Sequence, residues 1–469
     1  MTAEPQTSPD SPEASARLGR EARRRVPPET QAHLEISRQR DAIGVVTGQI
    51  PSRLPDLVPL RHSRMAASPF ALFRGTAAVM AADLSSTPIS GLKAQLCGDA
   101  HLSNFGMFAS PERRLMFDIN DFDETIGGPW EWDLKRLAAS IVVAGRERSF
   151  TDKQIRRAVL ATVSRYRSAM ARFAAMGNLD VWYARADVEE VKQHLSGELT
   201  EQMSRRLDKA VTKARSRDHR RSLAKLTAVV DGRRRIAGDP PTVVPVADLV
   251  EGIGPDEIES KVRGLIGVYA ESLQPGAREL VRSYRFVDMA RKVVGVGSVG
   301  TRCWIVLLRG RDDSDPLFLQ VKEALPSALA EHLGVPHHGH EGARVVTGQR
   351  LMQATGDPFL GWQRTTGLDG QTRDFYVRQL HDWKGSAVIE RMVPKGMRLY
   401  GQLCAWSLAR AHARTGDRIA ISAYLGEDDR FVQAMVEFAH AYADLNERDY
   451  TAFREAVERG PLAPPGPAT

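Results

Sequence analysis

The sequence predicts an α+β protein with two lobes, one largely helical and one built on an antiparallel β-sheet. Residues 285–323 contain three runs rich in β-branched and apolar residues, and a polar turn joins the last two, as in an antiparallel meander. Residues 130–147 and 396–457 instead carry apolar residues at helical spacing. The 469 residues give room for two or three domains or for one large two-lobed enzyme.

Composition restricts the location and the partners. The three cysteines lie too far apart in sequence for a zinc site or a disulfide framework. The N-terminus lacks the apolar core of a signal peptide, and no apolar run approaches the roughly 20 residues that span a bilayer. We therefore expect a cytoplasmic protein without a membrane partner. The net charge of +7 favours an anionic ligand.

The chain divides by composition into six parts. The first 30 residues are poor in large apolar residues and predict a disordered tail, and the Gly- and Pro-containing run 232–246 predicts a linker. The basic helix predicted over 201–226 has interleaved acids and no base-stacking aromatics, so nucleic acid is not expected as a partner. The expected parts are a tail (1–30), a helical-lobe part with catalytic and metal loops (31–150), a helical segment and linker (151–284), the sheet lobe with a Gly-rich hairpin and a lysine (285–385), a part completing the helical lobe (386–458) and a second disordered tail (459–469).

The stretch from Leu96 to Leu137 concentrates acidic side chains between apolar runs. A strand is predicted to end at Gly98, and a hairpin is predicted to join residues 104–108 to 114–119. Carboxylates gathered this closely are costly unless a cation neutralises them. The stretch therefore predicts a metal site, and a cluster of turn and cap carboxylates is the alternative.

Two residues in this stretch have the spacing of a phosphotransfer site. Asp99 and Asn104 are five residues apart, the interval at which kinases place the aspartate that accepts the hydroxyl proton and the asparagine that holds Mg²⁺. A further aspartate after the hairpin would complete the metal site, because Mg²⁺ takes few, hard oxygen ligands. Asp121 is the first candidate and Asp118 is its rival. His101 could be a metal ligand, a general base or a residue that orients the loop.

A glycine pattern occurs about 200 residues downstream. Gly295, Gly297 and Gly300 form G-x-G-x-x-G, with Ser298 inside it. A dinucleotide-binding fingerprint would be followed by a helix, but here the β-rich run CWIVLL follows. The glycines are therefore predicted at the tip of a β-hairpin, where backbone N–H groups can approach phosphate. A structural hairpin without a ligand is the alternative.

Lys322 lies inside the apolar strand predicted next, where lysine is disfavoured. A kinase-type site has such a lysine on the phosphates of ATP, and the lysine pairs with a helix glutamate. Glu331 and Glu341 are both candidates for that glutamate. The glycines, Ser298, Lys322 and Glu341 therefore form the predicted site for ATP.

Three segments resemble the catalytic and metal segments of aminoglycoside phosphotransferases, which are part of the protein-kinase-like superfamily. They are CGDAHLSNFG, FDINDFDET and GPWEWDLKRLA. The resemblance implies that Asp99 is the catalytic base, that Asn104 and Asp121 bind metal, and that Asp133 is the supporting helix aspartate. It favours Asp121 over Asp118. Cys97 stands where those enzymes carry histidine.

The chain from about residue 30 to 458 also resembles a bacterial family of uncharacterised function grouped with those kinases. SPFALFRG, VGVGSVGTR and LARAHARTGD are among the segments that carry this resemblance. In kinases the glycine hairpin and the lysine precede the catalytic loop, whereas here they follow it. The resemblance therefore implies a circularly permuted kinase-like fold, which is possible when the original termini lie close together at the surface.

Together these patterns predict a Mg-ATP-dependent phosphotransferase that acts on a hydroxyl of a small molecule, so the expected partners are a nucleotide and its acceptor. A catalytically silent nucleotide-binding regulatory protein, suggested by Cys97, is one alternative. Nucleotidyl transfer (AMPylation) is another.

Overall fold

Helices predominate in the computed structural model, which describes residues 11–230, 232–250, 254–336, 339–367, 369–380, 382–459 and 462. The α-helices are α1 (Pro12–Arg25), α2 (Ala42–Gly48), α3 (Val58–Met65), α4 (Pro69–Gly75), α5 (Ala77–Leu84), α6 (Glu131–Glu147), α7 (Asp152–Ala174), α8 (Asn178–Tyr183), α9 (Val188–Leu195), α10 (Glu201–Arg215), α11 (His219–Leu226), α12 (Pro255–Ala270), α13 (Pro275–Arg282), α14 (Ala330–Leu333), α15 (Glu341–Met352), α16 (Pro394–Thr415), α17 (Arg418–Leu425) and α18 (Arg430–Arg459). The strands are β1 (Lys93–Leu96), β2 (Phe105–Ala109), β3 (Leu115–Ile119), β4 (Ile126–Pro129), β5 (Thr227–Val230), β6 (Arg233–Ile236), β7 (Val243–Pro245), β8 (Arg285–Lys292), β9 (Cys303–Arg309), β10 (Pro316–Glu323), β11 (Gly361–Thr366), β12 (Thr372–Gln379) and β13 (Gly385–Ser386).

The largest sheet has six strands in the order β11-β12-β10-β9-β8-β7, and every neighbouring pair is antiparallel. The predicted meander is its centre, β8 to β10. Smaller sheets join β13-β2-β3, β1-β4 and β5-β6. The predicted hairpin of the acidic stretch is β2 and β3, and the prediction of an α+β protein is confirmed.

Both faces of the six-stranded sheet are covered, which explains the uninterrupted apolar run in β9. Ile305 and Leu307 belong to a core shared with α11, whereas Val306 and Leu308 pack with residues of α12 and α13 on the opposite face. Successive side chains of a strand point to opposite faces, so alternate residues of the run are buried on opposite sides of the sheet.

A separate and larger core holds the helical part together. Its centre is α6, in which every residue from Glu131 to Gly145 is buried. α7, α16 and α18 surround this helix, and their buried apolar residues belong to the same core. The helices predicted over 130–147 and 396–457 are confirmed, the latter as α16, α17 and α18.

The structure corrects the prediction of a disordered N-terminal tail. Residues 1–10 lie outside the described part, but Pro12–Arg25 is a helix that packs on α17. Arg23 donates to the carbonyl of Leu425 at 2.7 Å and to the carboxylate of Asp428 at 2.8 Å. A charged amphipathic sequence can be low in mean hydropathy and still form a docked helix when its few small residues face a partner.

The predicted linker over 232–246 is also wrong. Val243–Pro245 is the edge strand β7 of the six-stranded sheet, and Arg233–Ile236 pairs with β5 in a hairpin. The proline at the end of β7 fits an edge position, where one side of the strand lacks a pairing neighbour. The predicted disordered tail over 459–469 lies outside the described residues except for positions 459 and 462.

No helix in the described ranges is both long and apolar enough to cross a membrane. The three cysteines are buried free thiols.

Candidate active site

A cavity of about 340 Å³ lies between the six-stranded sheet and the helical part, and we call it the central cavity. It is lined by the acidic segment (residues 97–124), the glycine loop (residues 293–302) and residues of an N-terminal segment between positions 49 and 78. Seven of the ten predicted site residues line it: Asp99, Asn104, Asp121, Gly295, Gly297, Ser298 and Lys322. Gly300, Asp118 and Glu341 do not.

The loop that carries Asp99 is fixed by a single buried carboxylate. Asp133, in the first turn of α6, accepts hydrogen bonds from the backbone N–H groups of Cys97 at 2.8 Å and Gly98 at 3.0 Å. Gly98 has a φ of 83°, and a Cβ there would lie 2.3 Å from the carbonyl oxygen of Glu124, so only glycine fits. Asp133 therefore supports the loop that carries Asp99 from the first turn of a helix, as predicted.

Asp99 is held both through its carboxylate and through its backbone carbonyl. Arg136 Nε donates to Asp99 Oδ1 at 2.8 Å, and the amide of Asn104 donates to the Asp99 carbonyl at 2.7 Å. Burial raises the pKa of Asp99, and the positive charge of Arg136 opposes that rise. His101 accepts from the N–H of Ser103 and holds its other ring nitrogen 3.6 Å from Asp99, so it orients the loop.

The two halves of the predicted site meet at Lys322. Its Nζ lies 2.6 Å from Asp123 Oδ2 and 3.7 Å from Asp121 Oδ1. The Tyr376 hydroxyl donates to the second oxygen of Asp123. Despite burial, the cation and these hydrogen bonds lower the pKa of Asp123, whereas burial and the neighbouring Asp123 raise the pKa of Asp121.

The expectation that Lys322 pairs with a helix glutamate is wrong. Glu341 begins α15 and binds Arg344 one turn later, while Glu331 is exposed. Arg344 also donates to the carbonyl of Thr125, so this buried pair fastens α15 to the acidic segment. Because Glu341 pairs with Arg344 within α15, Lys322 pairs instead with the aspartates across the cavity.

Asp118 does not fit the alternative of a metal ligand. Both of its carboxylate oxygens accept from Arg410 Nη2 at 2.7 Å, and the N–H of Ala354 donates to it at 3.1 Å. The side chain is buried and faces α16 rather than the central cavity. The spacing in sequence could not exclude this residue because the partner Arg410 is almost 300 positions away.

The glycine loop joins β8 to β9, as predicted for a hairpin tip. Gly295 and Gly300 have φ values of 69° and 92°, which other residues rarely adopt. The Ser298 hydroxyl donates to the carbonyl of Val294 at 3.0 Å and closes the turn. Gly300 does not line the cavity, and its carbonyl accepts from the N–H of Leu54 at 2.7 Å.

The sequence analysis did not predict several cationic side chains that line the cavity. Arg378 lies on the same face of the sheet as Tyr376 and donates to Gln320 and to the carbonyl of Asn120, each at 3.0 Å. Its alternation with Tyr376 along β12 is the signal that could have revealed it. Lys384 also lines the cavity, and burial together with the charge of Arg378 lowers its pKa to about 7.

The donor set suits a cation that phosphates help to bind. Among the described residues, no group of three or more His, Cys, Asp and Glu side chains is arranged to hold a metal ion. Asp121 Oδ1, however, is buried and accepts no hydrogen bond, and Asn104 lines the same cavity. Mg²⁺ commonly takes one or two protein oxygens and completes its shell with waters and substrate phosphates.

Comparison with known proteins gives a family but no activity. Residues 53–456 match the model of a family described as "Uncharacterized protein conserved in bacteria (DUF2252)". No curated protein and no solved structure matches the sequence significantly. The matched range contains the acidic segment, the glycine loop and Lys322. The chain therefore belongs to this bacterial family.

Proposed function

We propose that the protein is a Mg-ATP-dependent phosphotransferase that acts on a hydroxyl of a small molecule. One observation carries the proposal: Lys322 Nζ lies 2.6 Å from Asp123 and 3.7 Å from Asp121, 199 and 201 positions earlier in the chain. A glycine loop, a strand lysine and an aspartate pair thus line one cavity, as phosphoryl transfer requires.

Each residue has a role that its surroundings support. Asp99 accepts the proton of the acceptor hydroxyl, and its raised pKa makes it a better proton acceptor than a solvated aspartate. Arg136 holds the carboxylate in one orientation. Lys322 and the backbone of the glycine loop bind the phosphates of ATP.

Asn104 and Asp121 are the residues that would hold Mg²⁺. When bound, the ion would neutralise negative charge on the transferred phosphoryl group. The Asn104 amide group donates to the Asp99 carbonyl, so the same side chain links the metal ligands to the catalytic base. Asp123 stays with Lys322 and Tyr376 and keeps the lysine pointed into the cavity.

We further infer a circularly permuted kinase-like fold. The glycine loop, the lysine strand β10, helix α15 and strands β11 and β12 follow one another in the order of the sheet lobe of a kinase. The catalytic and metal segments, which come next in a kinase, precede them here. Both lobes contribute to the central cavity, which supports this order as a permutation.

The proposal is tested by Mg-ATP binding and ATP turnover with a panel of hydroxyl compounds. Asp99→Asn should keep its affinity for Mg-ATP and lose about 10²- to 10⁴-fold in turnover, the range of a lost general base. Asp313→Asn, an exposed aspartate in the turn between β9 and β10, should behave as wild type. Wild-type protein that does not bind Mg-ATP would refute the proposal, and binding without turnover would favour a silent nucleotide-binding protein.

A further inference from the structure

A second group of cations in the central cavity forms no close ion pair with an acidic side chain among the described residues. Arg53, Arg61 and Arg74 all line the cavity, and we call them the arginine cluster. Within the described ranges, none of them forms an ion pair of 4 Å or less with a carboxylate, although Glu124 acts on Arg53 and Asp99 acts on Arg74 from farther away. Burial and the neighbouring positive charge of Arg53 lower the pKa of Arg61 to about 9.

Arg61 is the most unusual member of the arginine cluster. It is 1% exposed, and its Nε and Nη1 have no hydrogen-bond partner in the part of the chain that the structure describes. Only Nη2 is engaged, with Gln49 at 2.8 Å and with the carbonyl of Gly75 at 3.3 Å. Arg53 Nε and Arg74 Nε are likewise buried without a partner. The rest of Arg53 and Arg74 is only half-buried. An unpaired buried charge is costly, so a fold that keeps Arg61 in this state beside two further arginines is built for an anion.

The arginine cluster lies beside both the glycine loop and the catalytic base. Arg53 donates to the carbonyl of Val299 at 3.3 Å, and a Cβ on Gly297 would lie 3.1 Å from the carbonyl oxygen of Arg74. The positive charge of Arg74 acts on the carboxylate of Asp99. A group held by these arginines therefore lies next to the position that the acceptor hydroxyl must occupy.

We propose that Arg53, Arg61 and Arg74 form a second oxyanion subsite in the central cavity, and that the acceptor carries a phosphate group as well as the hydroxyl that is phosphorylated. Guanidinium groups offer several N–H donors in a fixed plane, which suits the many oxygens of a phosphate dianion. The nucleotide phosphates have their own cations in Lys322, Arg378 and Lys384. The assignment of this subsite to the acceptor rests on the proposed phosphotransferase function; the subsite itself does not.

The test uses inorganic phosphate as the probe and the midpoint of thermal unfolding as the readout, at constant ionic strength. Phosphate should raise the midpoint of the full chain in the presence of saturating Mg²⁺ and the non-hydrolysable analogue AMP-PNP. Arg61→Gln and Arg74→Gln should weaken this binding about tenfold or more, because each removes charge-assisted hydrogen bonds. Arg311→Gln, at an exposed arginine, is the matched control.

Stability without phosphate separates an anion subsite from a structural role. Arg61→Gln should unfold at the same temperature as wild type or a higher one, because it removes an unpaired buried charge. A lower unfolding midpoint for Arg61→Gln, together with unchanged phosphate binding by Arg61→Gln and Arg74→Gln, would show that the arginines are structural. That result would overturn the proposal.

The remaining outcomes decide whether the arginines bind a phosphate group of the acceptor or the phosphates of the nucleotide. An effect of phosphate that disappears when AMP-PNP is bound would assign the arginines to the nucleotide and overturn the acceptor subsite. No effect of phosphate under either condition would overturn the subsite altogether. Arginine-dependent binding of phosphate by a protein that does not bind Mg-ATP would support the oxyanion subsite and refute the phosphotransferase function.

Discussion

At the scale of single residues, two neighbouring aspartates have different tasks. Asp123 uses both oxygens, one with Lys322 and one with Tyr376. Asp121 keeps Oδ1 buried and without a hydrogen bond, 3.7 Å from Lys322. An unsatisfied carboxylate oxygen is costly unless a ligand engages it. Asp121 Oδ1 is therefore the oxygen that the proposed Mg²⁺ would engage, whereas Asp123 positions the lysine.

Lys322→Met should weaken Mg-ATP binding about 10- to 100-fold, because it removes the cation from the phosphate side of the cavity while keeping the volume of the side chain. It should also lower the free energy of unfolding by about 1–3 kcal/mol, since two carboxylates lose their shared counter-charge. Titration calorimetry and urea unfolding measure the two effects. Lys261→Met, at an exposed lysine, is the control. Unchanged ATP affinity would contradict the assigned role of Lys322.

Glu124 predicts a pH dependence of stability. Burial raises its pKa from 4.5 to about 6, although the N–H of Ala328 donates to it at 2.6 Å. The folded state therefore disfavours the ionised form, and stability is lost as the pH rises through about 6. Glu124→Gln should be more stable than wild type by about 1 kcal/mol at pH 7.5. This gain is smaller than the full pKa shift would give, because solvent screens the half-buried side chain.

The stabilisation by Glu124→Gln should shrink as the pH falls from 7.5 toward 4.5, because the wild-type carboxyl then becomes protonated in the folded protein. Urea unfolding at a series of pH values measures this difference. Glu437→Gln, on the exposed face of α18, should show no comparable trend. An equal gain at pH 7.5 and pH 4.5 would mean that the substitution acts through packing instead.

At the scale of elements, the loop that carries Asp99 depends on the first turn of α6. The carboxylate of Asp133 binds two backbone N–H groups at the end of β1 and lies 3.3 Å from His412 Nε2. Tyr166 contacts the other ring nitrogen of His412 at 2.8 Å, so α6, α7 and α16 share one buried polar network. This network sets the direction in which the chain leaves β1 and brings Asp99 into the cavity.

Asp133→Asn should lower the free energy of unfolding by about 2–3 kcal/mol, because an amide N–H₂ then faces a backbone donor in a buried site. Urea unfolding gives the loss, and amide hydrogen exchange should accelerate at Cys97 and Gly98. Asp152→Asn, at an exposed position in the first turn of α7, should cost only a few tenths of a kcal/mol. A neutral result at Asp133 would show that the loop holds its shape without this carboxylate.

At the scale of the whole molecule, the chain closes on itself. The N-terminal helix α1 packs on α17, more than 390 positions later, where Gln31 donates to the Tyr424 hydroxyl at 3.1 Å. Gly19 makes the close approach possible, since a Cβ there would lie 2.1 Å from the Ala420 carbonyl oxygen. The first helix and the last helices therefore belong to one helical part, which the sheet lobe interrupts in sequence.

Gly19→Val should separate α1 from α17 and lower the free energy of unfolding by about 1–3 kcal/mol, the usual cost of overpacking. Limited proteolysis should then cut within residues 12–25 faster than in wild type. Gly267→Val, at a helical glycine with open space around it, is the matched control. Equal protease resistance in the two variants would indicate that α1 tolerates the added side chain.

The sequence alone determined many of the elements and named several residues that line the central cavity. Periodicity of apolar residues was enough for the meander β8 to β10, the hairpin β2–β3 and the long helices, because these patterns are local. The spacing of Asp99, Asn104 and Asp121 was likewise local and named residues that do line one cavity. The predictions of a disordered tail and of a linker were wrong. The structure has α1 in place of the tail and β7 in place of the linker, and each is ordered by a partner distant in sequence.

Only the tertiary structure decided which charges neutralise one another. It paired Lys322 with Asp123 rather than Glu341, buried Asp118 against Arg410, and left the arginine cluster without a close ion pair among the described residues. Ion pairs form between side chains that the fold brings within a few ångströms, and their separation along the chain places no constraint on them. Sequence spacing can therefore propose the members of a site, whereas the choice of partners depends on how the two lobes meet.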